Sequence, residues 1–415
     1  MTKSSLIRNA LRTFLILGFF SAFTPWLRAQ NGIFADFNTT EGNFTIQLDF
    51  TNAPMTVANF IGLATGEQSW MNWNSGQVKT NPFYNGLTFH RVVSNFVIQA
   101  GSPNGLGTDG PGYVIKDEIS PILTHNRTGA VAMAKSEWPY DVWSAVQIFT
   151  LLPHTGSSQF YITTATNTGT AGLNGHYSVF GQVVSNLSVV LAIGKVATDT
   201  NSKPVIPVVI NSVSIRRVGT AAQNFNIQTN PLPKILSVPL SLTKTNQQVT
   251  LKLKNNYLVA EHRLFESSDL ALWYPTELGL DLAPPLLTNI VRSATNHAEY
   301  FAITRVQYPD SSWAPRDLYG RTLLMRFDDG SPALSTKFDQ NGGGTWTNSV
   351  GGSGSLYSYA WTQDIYRGYL EPLDAANTFW VHLEFTSPTT GVFGGFVYLG
   401  IWWPTYGRFT LTPNP

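Results

Sequence analysis

Strand-length alternation is what most limits how this chain can fold. In "NFTIQLDF", Phe44, Ile46, Leu48 and Phe50 share one face of an extended segment, while Asn43, Thr45, Gln47 and Asp49 share the other. A period of two belongs to a half-buried strand and to no helix. Similar runs recur to the C-terminal end, broken by Gly, Pro, Asn and Asp. Helical spacing shows in two places. "TNAPMTVANFIGLATG" offers Asn52 as a cap, Pro54 in its first turn and Gly66 near its end, and a second helix is expected from Ser185 to about Lys195. So many strands leave edges to protect, and closing a sheet into a barrel plugged at its ends removes them.

At 415 residues the chain exceeds one ordinary core. A mixture of strands and helices runs from 33 to 218. "GTAAQNFNIQTNPLPKI", polar and without period, then reads as a linker over 219–235. Short alternating segments from 236 to 310 ("VTLKLK", "HRLFESS", "EYFAITRVQY") suggest a small β-sandwich. Eight strand candidates from 311 to 415 suggest an antiparallel β-meander or small barrel.

The first thirty residues follow a different logic. Lys3, Arg8 and Arg12 precede the short apolar run Thr13 to Phe23, and Ala29 supplies a small residue for cleavage. Residues 1–29 therefore read as a signal peptide and the protein as exported, to the periplasm, the cell surface or the medium. The run is short for a bilayer span. With no cysteine in the chain, disulfides, thiolate catalysis and cysteine-ligated metals are excluded. A net charge of +1 without a basic cluster argues against a nucleic-acid partner. The histidines are scattered without metal-site spacing, and neither a nucleophile elbow nor a phosphate loop is found, so no metal or cofactor is expected.

One stretch combines apolar runs with two conspicuous polar groups. "TFHRVVSNFVIQAGS", Thr88 to Ser102, sets Arg91 and Gln99 among Phe, Val and Ile. By alternation Arg91 and Val93 share a face, as do Val97 and Gln99. In "SSQFYITT", Gln159 and Tyr161 lie together while Phe160 and Ile162 point away into a core. Three strands are thus able to present an arginine, two glutamines and a ring on one surface, although alternation does not make those strands neighbours. His90 is expected to face away from Arg91 as a structural histidine.

"APMTVANF", "FYNGLTFHRVVSNFVIQAGSPNGLGTDGPGYVIKDE", "HNRTGAVAMA", "GSSQFYI" and "LNGHYSVFGQVV", in that order, resemble the cyclophilin-type peptidyl-prolyl isomerases over about 33–218. The resemblance implies a mainly β fold: an eight-stranded antiparallel barrel capped by two helices, with the active groove on its outer face. It implies that Arg91 is catalytic and that Phe96, Val97, Tyr161 and Leu173 line a proline pocket. Gln99 and Gln159 would bond the peptide backbone, Ala134 would belong to the same substrate site, and Tyr177 would stand beside the pocket. The implied partner is a proline-containing polypeptide.

Five departures bear on substrate preference. Tyr161 stands where the family usually has Phe, and Val97 where it often has Met, which predicts an altered and more polar pocket. Gly172 replaces an aromatic that often precedes the leucine. Lys135 replaces an asparagine, removing a backbone contact. "KSEWPYDVWSAVQIFTLLPHTG", Lys135 to Gly156, exceeds the family's short loop and is expected to overhang the neighbouring subsite.

The residue types suit the chemistry. An X–Pro amide turns over a barrier of about 18–20 kcal/mol, and no bond breaks, so the enzyme has only to bind the twisted amide better than the planar forms. Twisting localises a lone pair on the prolyl nitrogen. A guanidinium, permanently charged and rigidly forked, is suited to donate to it. Two other readings are open at this point. The barrel could bind proline peptides without catalysis, as an adhesion module. Alternatively, Trp346, Trp361, Trp380, Trp402 and Trp403 could serve a glycan or small apolar ligand in the last domain, although core packing is the commoner reason for such residues.

Overall fold

The structure is a computed structural model that describes residues 31–136 and 154–414, apart from short stretches at 246–247, 256–259, 271–272, 282–285, 294–299, 310–313, 316, 357–358, 364–366, 373–378 and 399–401. The expected signal peptide and residues 137–153 of the long loop lie outside the described residues.

Ten strands form the first part: β1 (Gly32–Thr39), β2 (Gly42–Leu48), β3 (Trp70–Asn72), β4 (Gln77–Lys79), β5 (Phe89–Val93), β6 (Val97–Ala100), β7 (Ala130–Met133), β8 (Phe160–Thr163), β9 (Val179–Ser185) and β10 (Ile210–Val218). Eight of them make one antiparallel sheet in the order β10-β1-β2-β9-β7-β8-β6-β5, and β3 and β4 pair as a separate hairpin. A bridge between Thr88 and Val209 joins the outermost strands of that order and brings the curled sheet round on itself. Its inner face holds Phe37, Phe44, Phe89, Phe160 and Phe180, all buried, with Phe37 stacked on Phe44 at 4.7 Å. Phe160 and Ile162 face this core, as their alternation requires.

Helix α1 (Pro54–Thr65) plugs one end through Val57, Phe60 and Ile61. Its stop is the expected one: Gly66, at φ 83°, takes the left-handed turn that glycine adopts without strain. Its start is not. The cap residue is Ala53, while the Asn52 amide is spent on Asp49. The free amides are answered from far along the chain, where the Glu118 carboxylate accepts from Met55 N–H at 3.0 Å and Thr56 N–H at 2.7 Å. An anion at a helix N-terminus meets both the unpaired donors and the dipole. A four-residue helix, α2 (Thr168–Ala171), follows β8, and α3 (Leu187–Ile193) occupies the second expected helical stretch.

The segment expected as a linker is a packed strap. It contains α4 (Thr220–Asn224) and a 3-10 turn at Ile227–Thr229, and Ala222 and Ile227 are buried in the barrel core. Its apolar residues are spaced to suit a curved surface and not one helix or strand, so no period shows.

Beyond it, β11 (Lys234–Val238), β12 (Ser241–Thr245), β13 (Gln248–Asn255), β14 (Ala260–Ser267), β15 (Tyr274–Asp281), β16 (Leu286–Ser293) and β17 (Tyr300–Gln307) form a four-stranded sheet, β11-β17-β14-β15, and a three-stranded sheet, β12-β13-β16. The two share a small core in which Val249 and Leu251 of β13 meet Leu264 and Ile303 of the other sheet, so they make a sandwich.

The last nine strands are β18 (Arg321–Phe327), β19 (Leu334–Phe338), β20 (Gly344–Asn348), β21 (Ser353–Leu356), β22 (Tyr359–Gln363), β23 (Arg367–Pro372), β24 (Phe379–Ser387), β25 (Thr390–Tyr398) and β26 (Trp402–Pro413). They form a single antiparallel sheet, β21-β20-β19-β18-β26-β25-β24-β23-β22. One more strand is present than the sequence suggested, because "SGSL" in β21 has only one large apolar residue, Leu356, to mark it. Tyr359 of β22 packs on Phe338 of β19 at 4.8 Å, so the sheet folds over its own core of leucines and phenylalanines. Of the tryptophans considered for a ligand, Trp346 is half-buried, and the side chains of Trp361, Trp380, Trp402 and Trp403 lie outside the described residues.

Candidate active site

A continuous row of side chains crosses the outer face of the barrel. Arg91 on β5 is paired with Gln99 on β6, and Gln99 with Tyr161 on β8. Tyr161 is paired in turn with Ala132 on β7, and Ala132 with Val179 on β9. Directly opposed residues of antiparallel strands point to the same face, so the strands that alternation left unconnected are indeed neighbours.

The row depends on one irregularity. Phe89 pairs with Ala100 but Arg91 pairs with Gln99, which leaves His90 as an extra residue, a β-bulge. Without it Phe89 and Arg91, two apart, would share a face. With it Phe89 is fully buried inside the barrel while Arg91 is half-exposed outside. The bulge also overturns the expectation that His90 faces away from the site. A β-carbon on Gly107 would stand 3.3 Å from His90 Nε2 and 3.8 Å from Gln159 Oε1, so the imidazole lies under the groove-side loop. Burial, and then the Arg91 charge, lower the His90 pKa to about 4.

Beside Arg91 the expected pocket residues fall into one cluster. Val97 and Tyr161 are its buried floor with Ala132 and Val179, and Phe96, Ala134, Leu173, Tyr177 and Leu123 surround it half-buried. Leu123, Ala132 and Val179 were not anticipated, since a small aliphatic residue on a strand carries no mark that separates a pocket from a core. Leu173 and Tyr177 are held over the floor by the α2 turn, whose cap, Asn167, also donates to Asn95 O at 2.7 Å in the β5–β6 turn. At Gly172 a β-carbon would meet only backbone oxygens at 3.4 and 3.5 Å, so this side of the rim is low.

Tyr161 does not make the floor polar in the way the sequence suggested. Its hydroxyl is turned away to His125 Nε2, at 2.8 Å, and its ring meets Tyr177 edge-on at 5.3 Å. Lys135 is likewise drawn aside, its Nζ 2.8 Å from Asp117, with both side chains buried. Asp117 also accepts from His154 N–H at 3.1 Å, and Ser136 N–H donates to Thr155 Oγ1 at 2.9 Å, so the two ends of the long loop are pinned side by side.

The two glutamines have different duties. Gln159 Nε2 donates to Gly107 O at 3.0 Å and Asp109 O at 2.8 Å. Carbonyl oxygens accept only, so this fixes the amide, and Gln159 Oε1 accepts from Gln99 Nε2 at 3.0 Å. Gln99 is thereby left with its Oε1 outward. Arg91 makes no side-chain hydrogen bond or ion pair among the described residues. The surface thus offers a guanidinium with its donors unspent, an oriented amide and an apolar floor in one row.

Comparison with known proteins agrees with this geometry. The family model for cyclophilin type peptidyl-prolyl cis-trans isomerase/CLD matches residues 34–215. Peptidyl-prolyl cis-trans isomerase A of Mycobacterium tuberculosis is 40% identical over 183 residues, which are 44% of this chain and 91% of that protein. Peptidyl-prolyl cis-trans isomerase B of Streptomyces anulatus is 37% identical over 186 residues, 44% of this chain and 96% of that one. A solved cyclophilin type isomerase of Cryptosporidium parvum aligns over 45% of this chain and 98% of its own at 24% identity, with a TM-score of 0.36. Through its first barrel, therefore, the chain belongs to the cyclophilin-type peptidyl-prolyl cis-trans isomerases.

Proposed function

We propose that this isomerase turns X–Pro bonds of exported polypeptides, with Arg91 donating to the prolyl nitrogen as the amide twists. The proline ring rests on Val97 and Tyr161 between Phe96 and Leu173, with Ala134 and Tyr177 at the rim. Gln99 Oε1 accepts a backbone N–H of the substrate, and Gln159 holds Gln99 in place. The observation that carries this reading is the pairing of the unengaged Arg91 with Gln99, and of Gln99 with Tyr161, across adjacent strands.

The charged donor supplies about half of the stabilisation required. An acceleration of about 10⁵ needs about 7 kcal/mol of selective stabilisation. A preorganised charged donor supplies about 3–4 kcal/mol, and burial of the ring on an apolar floor about 2 kcal/mol of binding that fixes it while the preceding carbonyl rotates. A protease-coupled assay on an Ala–Pro peptide tests the assignment. Arg91→Ala should lower kcat/KM by about 10²-fold or more, and equal rates would remove Arg91 from the mechanism.

Export is supported by the basic start, apolar run and small residue of the first 29 positions. Sequencing the N-terminus of the protein recovered from outside the cytoplasm should find it near Gln30. Recovery of the uncleaved chain in the cytoplasm would overturn this part.

A further inference from the structure

We infer that the last β-sheet takes part in binding the substrate through Glu384, a positioning residue that steadies Tyr177 at the rim of the proline pocket by way of His154, Asp117 and Lys135. The inference rests on Tyr177 bordering that pocket, as proposed above. A run of close contacts from β24 of the last sheet to the rim carries it.

The run begins with the direction in which Glu384 points. Val381, Leu383 and Phe385 of β24 are buried in the core of their own sheet, so Glu384 and His382 face the other way. That face is not left to water, for His382 is only 9% exposed and the Glu384 side chain 25%. Glu384 Oε1 lies 3.6 Å from Nε2 of His154. The Asp117 N–H donates to His154 Nδ1 at 3.0 Å, which leaves the ring hydrogen on Nε2, toward the carboxylate. The separation is too long for a hydrogen bond. The imidazole is buried, however, and attraction between an N–H and an anion is little screened there.

His154 needs such support. Its φ of 55° lies in the left-handed region, which a residue with a side chain holds only where its surroundings fix it. Two bonds with Asp117 contribute: the ring accepts from the Asp117 N–H, and the Asp117 carboxylate accepts from the His154 N–H at 3.1 Å. The same carboxylate binds Lys135 Nζ at 2.8 Å, and this pair is buried. The Lys135 ammonium in turn lies 5.7 Å from the centre of the Tyr177 ring, within the range of a cation–π contact. A second tie runs alongside. Glu118, next to Asp117, donates its N–H to the Ser178 hydroxyl at 2.8 Å, and Ser178 follows Tyr177. A His154 that turns away from Glu384 therefore shifts the carboxylate that places Lys135 over Tyr177. Arg91, on β5, is no part of this run, so the effect falls on substrate affinity and not on the twisting of the amide.

The full chain and its variants are assayed on an Ala–Pro peptide over a range of concentrations. Glu384→Ala should raise KM about fivefold, the size of one cation–π contact, and leave kcat within about twofold. Glu384→Gln, which keeps an acceptor without the charge, should fall between it and the wild type. In a Tyr177→Leu background the same replacement should leave KM within about 1.5-fold, because the ring that Lys135 steadies is gone. A last sheet that is merely loosened would change KM by the same factor in both backgrounds. Equal factors thus overturn the inference, as does an unchanged KM in Glu384→Ala. Should Glu384→Ala not fold, Glu384→Gln is read in the same two backgrounds. A Tyr177→Leu variant whose own KM matches that of the wild type overturns the placement of Tyr177 at the pocket, and the inference with it.

Discussion

The hydroxyl of Tyr161 lies 2.8 Å from Nε2 of His125, beneath the floor of the candidate pocket, and the two rings stack at 5.8 Å. The proton positions follow from the third partner. Asn174 Oδ1 accepts from the His125 backbone N–H at 2.7 Å and lies 3.0 Å from its Nδ1, so Nδ1 carries the hydrogen. Nε2 is left as the acceptor for Tyr161. Tyr161→Phe removes that donor and leaves a buried nitrogen unsatisfied, which should cost about 1–3 kcal/mol in urea denaturation of the full chain. In a His125→Leu background the same change should cost clearly less, because the orphaned acceptor is gone; strict additivity of the two would show that the pair is not coupled.

Acid should weaken this part of the molecule through two histidines. Burial lowers the pKa of His125, and burial followed by the Arg91 charge lowers that of His90 to about 4, both from an ordinary 6.5. A depressed histidine binds fewer protons folded than unfolded, so stability rises with pH across the interval between the two values. It should be complete above about pH 6.5 and fall as the pH drops toward 4. Chemical denaturation at several pH values between 7 and 4 checks the slope, and the His125→Leu variant should show a shallower one. A stability that is flat over this range would count against both assignments.

The face of each site residue was legible because a strand alternates, and alternation is local. Gln159 and Tyr161 outward, with Phe160 and Ile162 inward, needed no information beyond "SSQFYITT". What was not legible depends on distant parts of the chain. The bulge at His90 is defined by its partner strand and not by any residue of its own. Glu118 reaches α1 across 63 positions, so a search for a neighbouring cap settled on Asn52. Tyr161 was read as a polar group in the pocket because its side chain was assigned a direction without its partner, His125. Glu384 meets His154 only through the packing of the last sheet against a distant loop, a relation to which neither composition nor period responds.

Gln159 allows a test that barely changes the shape of the side chain. Gln159→Glu replaces an amide donor that faces two carbonyl oxygens, those of Gly107 and Asp109, with an oxygen that repels them. The loop should be released and Gln99 should lose its orientation. Loss of two partly buried donors is expected to lower stability by about 1–3 kcal/mol, and kcat/KM on an Ala–Pro peptide should drop mainly through KM. An unchanged KM would mean that Gln99 does not need Gln159 to receive substrate.

The start of α1 separates a cap read from sequence neighbours from one supplied by the fold. Glu118 accepts from Met55 N–H, Thr56 N–H and the Thr56 hydroxyl, the last at 2.8 Å, whereas Asn52 binds Asp49. Both Asn52→Ala and Glu118→Ala remove hydrogen bonds, but only the second strips acceptors from the helix amides. Glu118→Ala should therefore cost about 2–4 kcal/mol, and Asn52→Ala about 1 kcal/mol or less. Hydrogen exchange locates the effect: amides in the first turns of α1, Val57 among them, should lose protection in Glu118→Ala and keep it in Asn52→Ala. The reverse order would make Asn52 the cap. Because α1 plugs the barrel and Glu118 follows the loop that borders the groove, the same loss should also lower activity in Glu118→Ala.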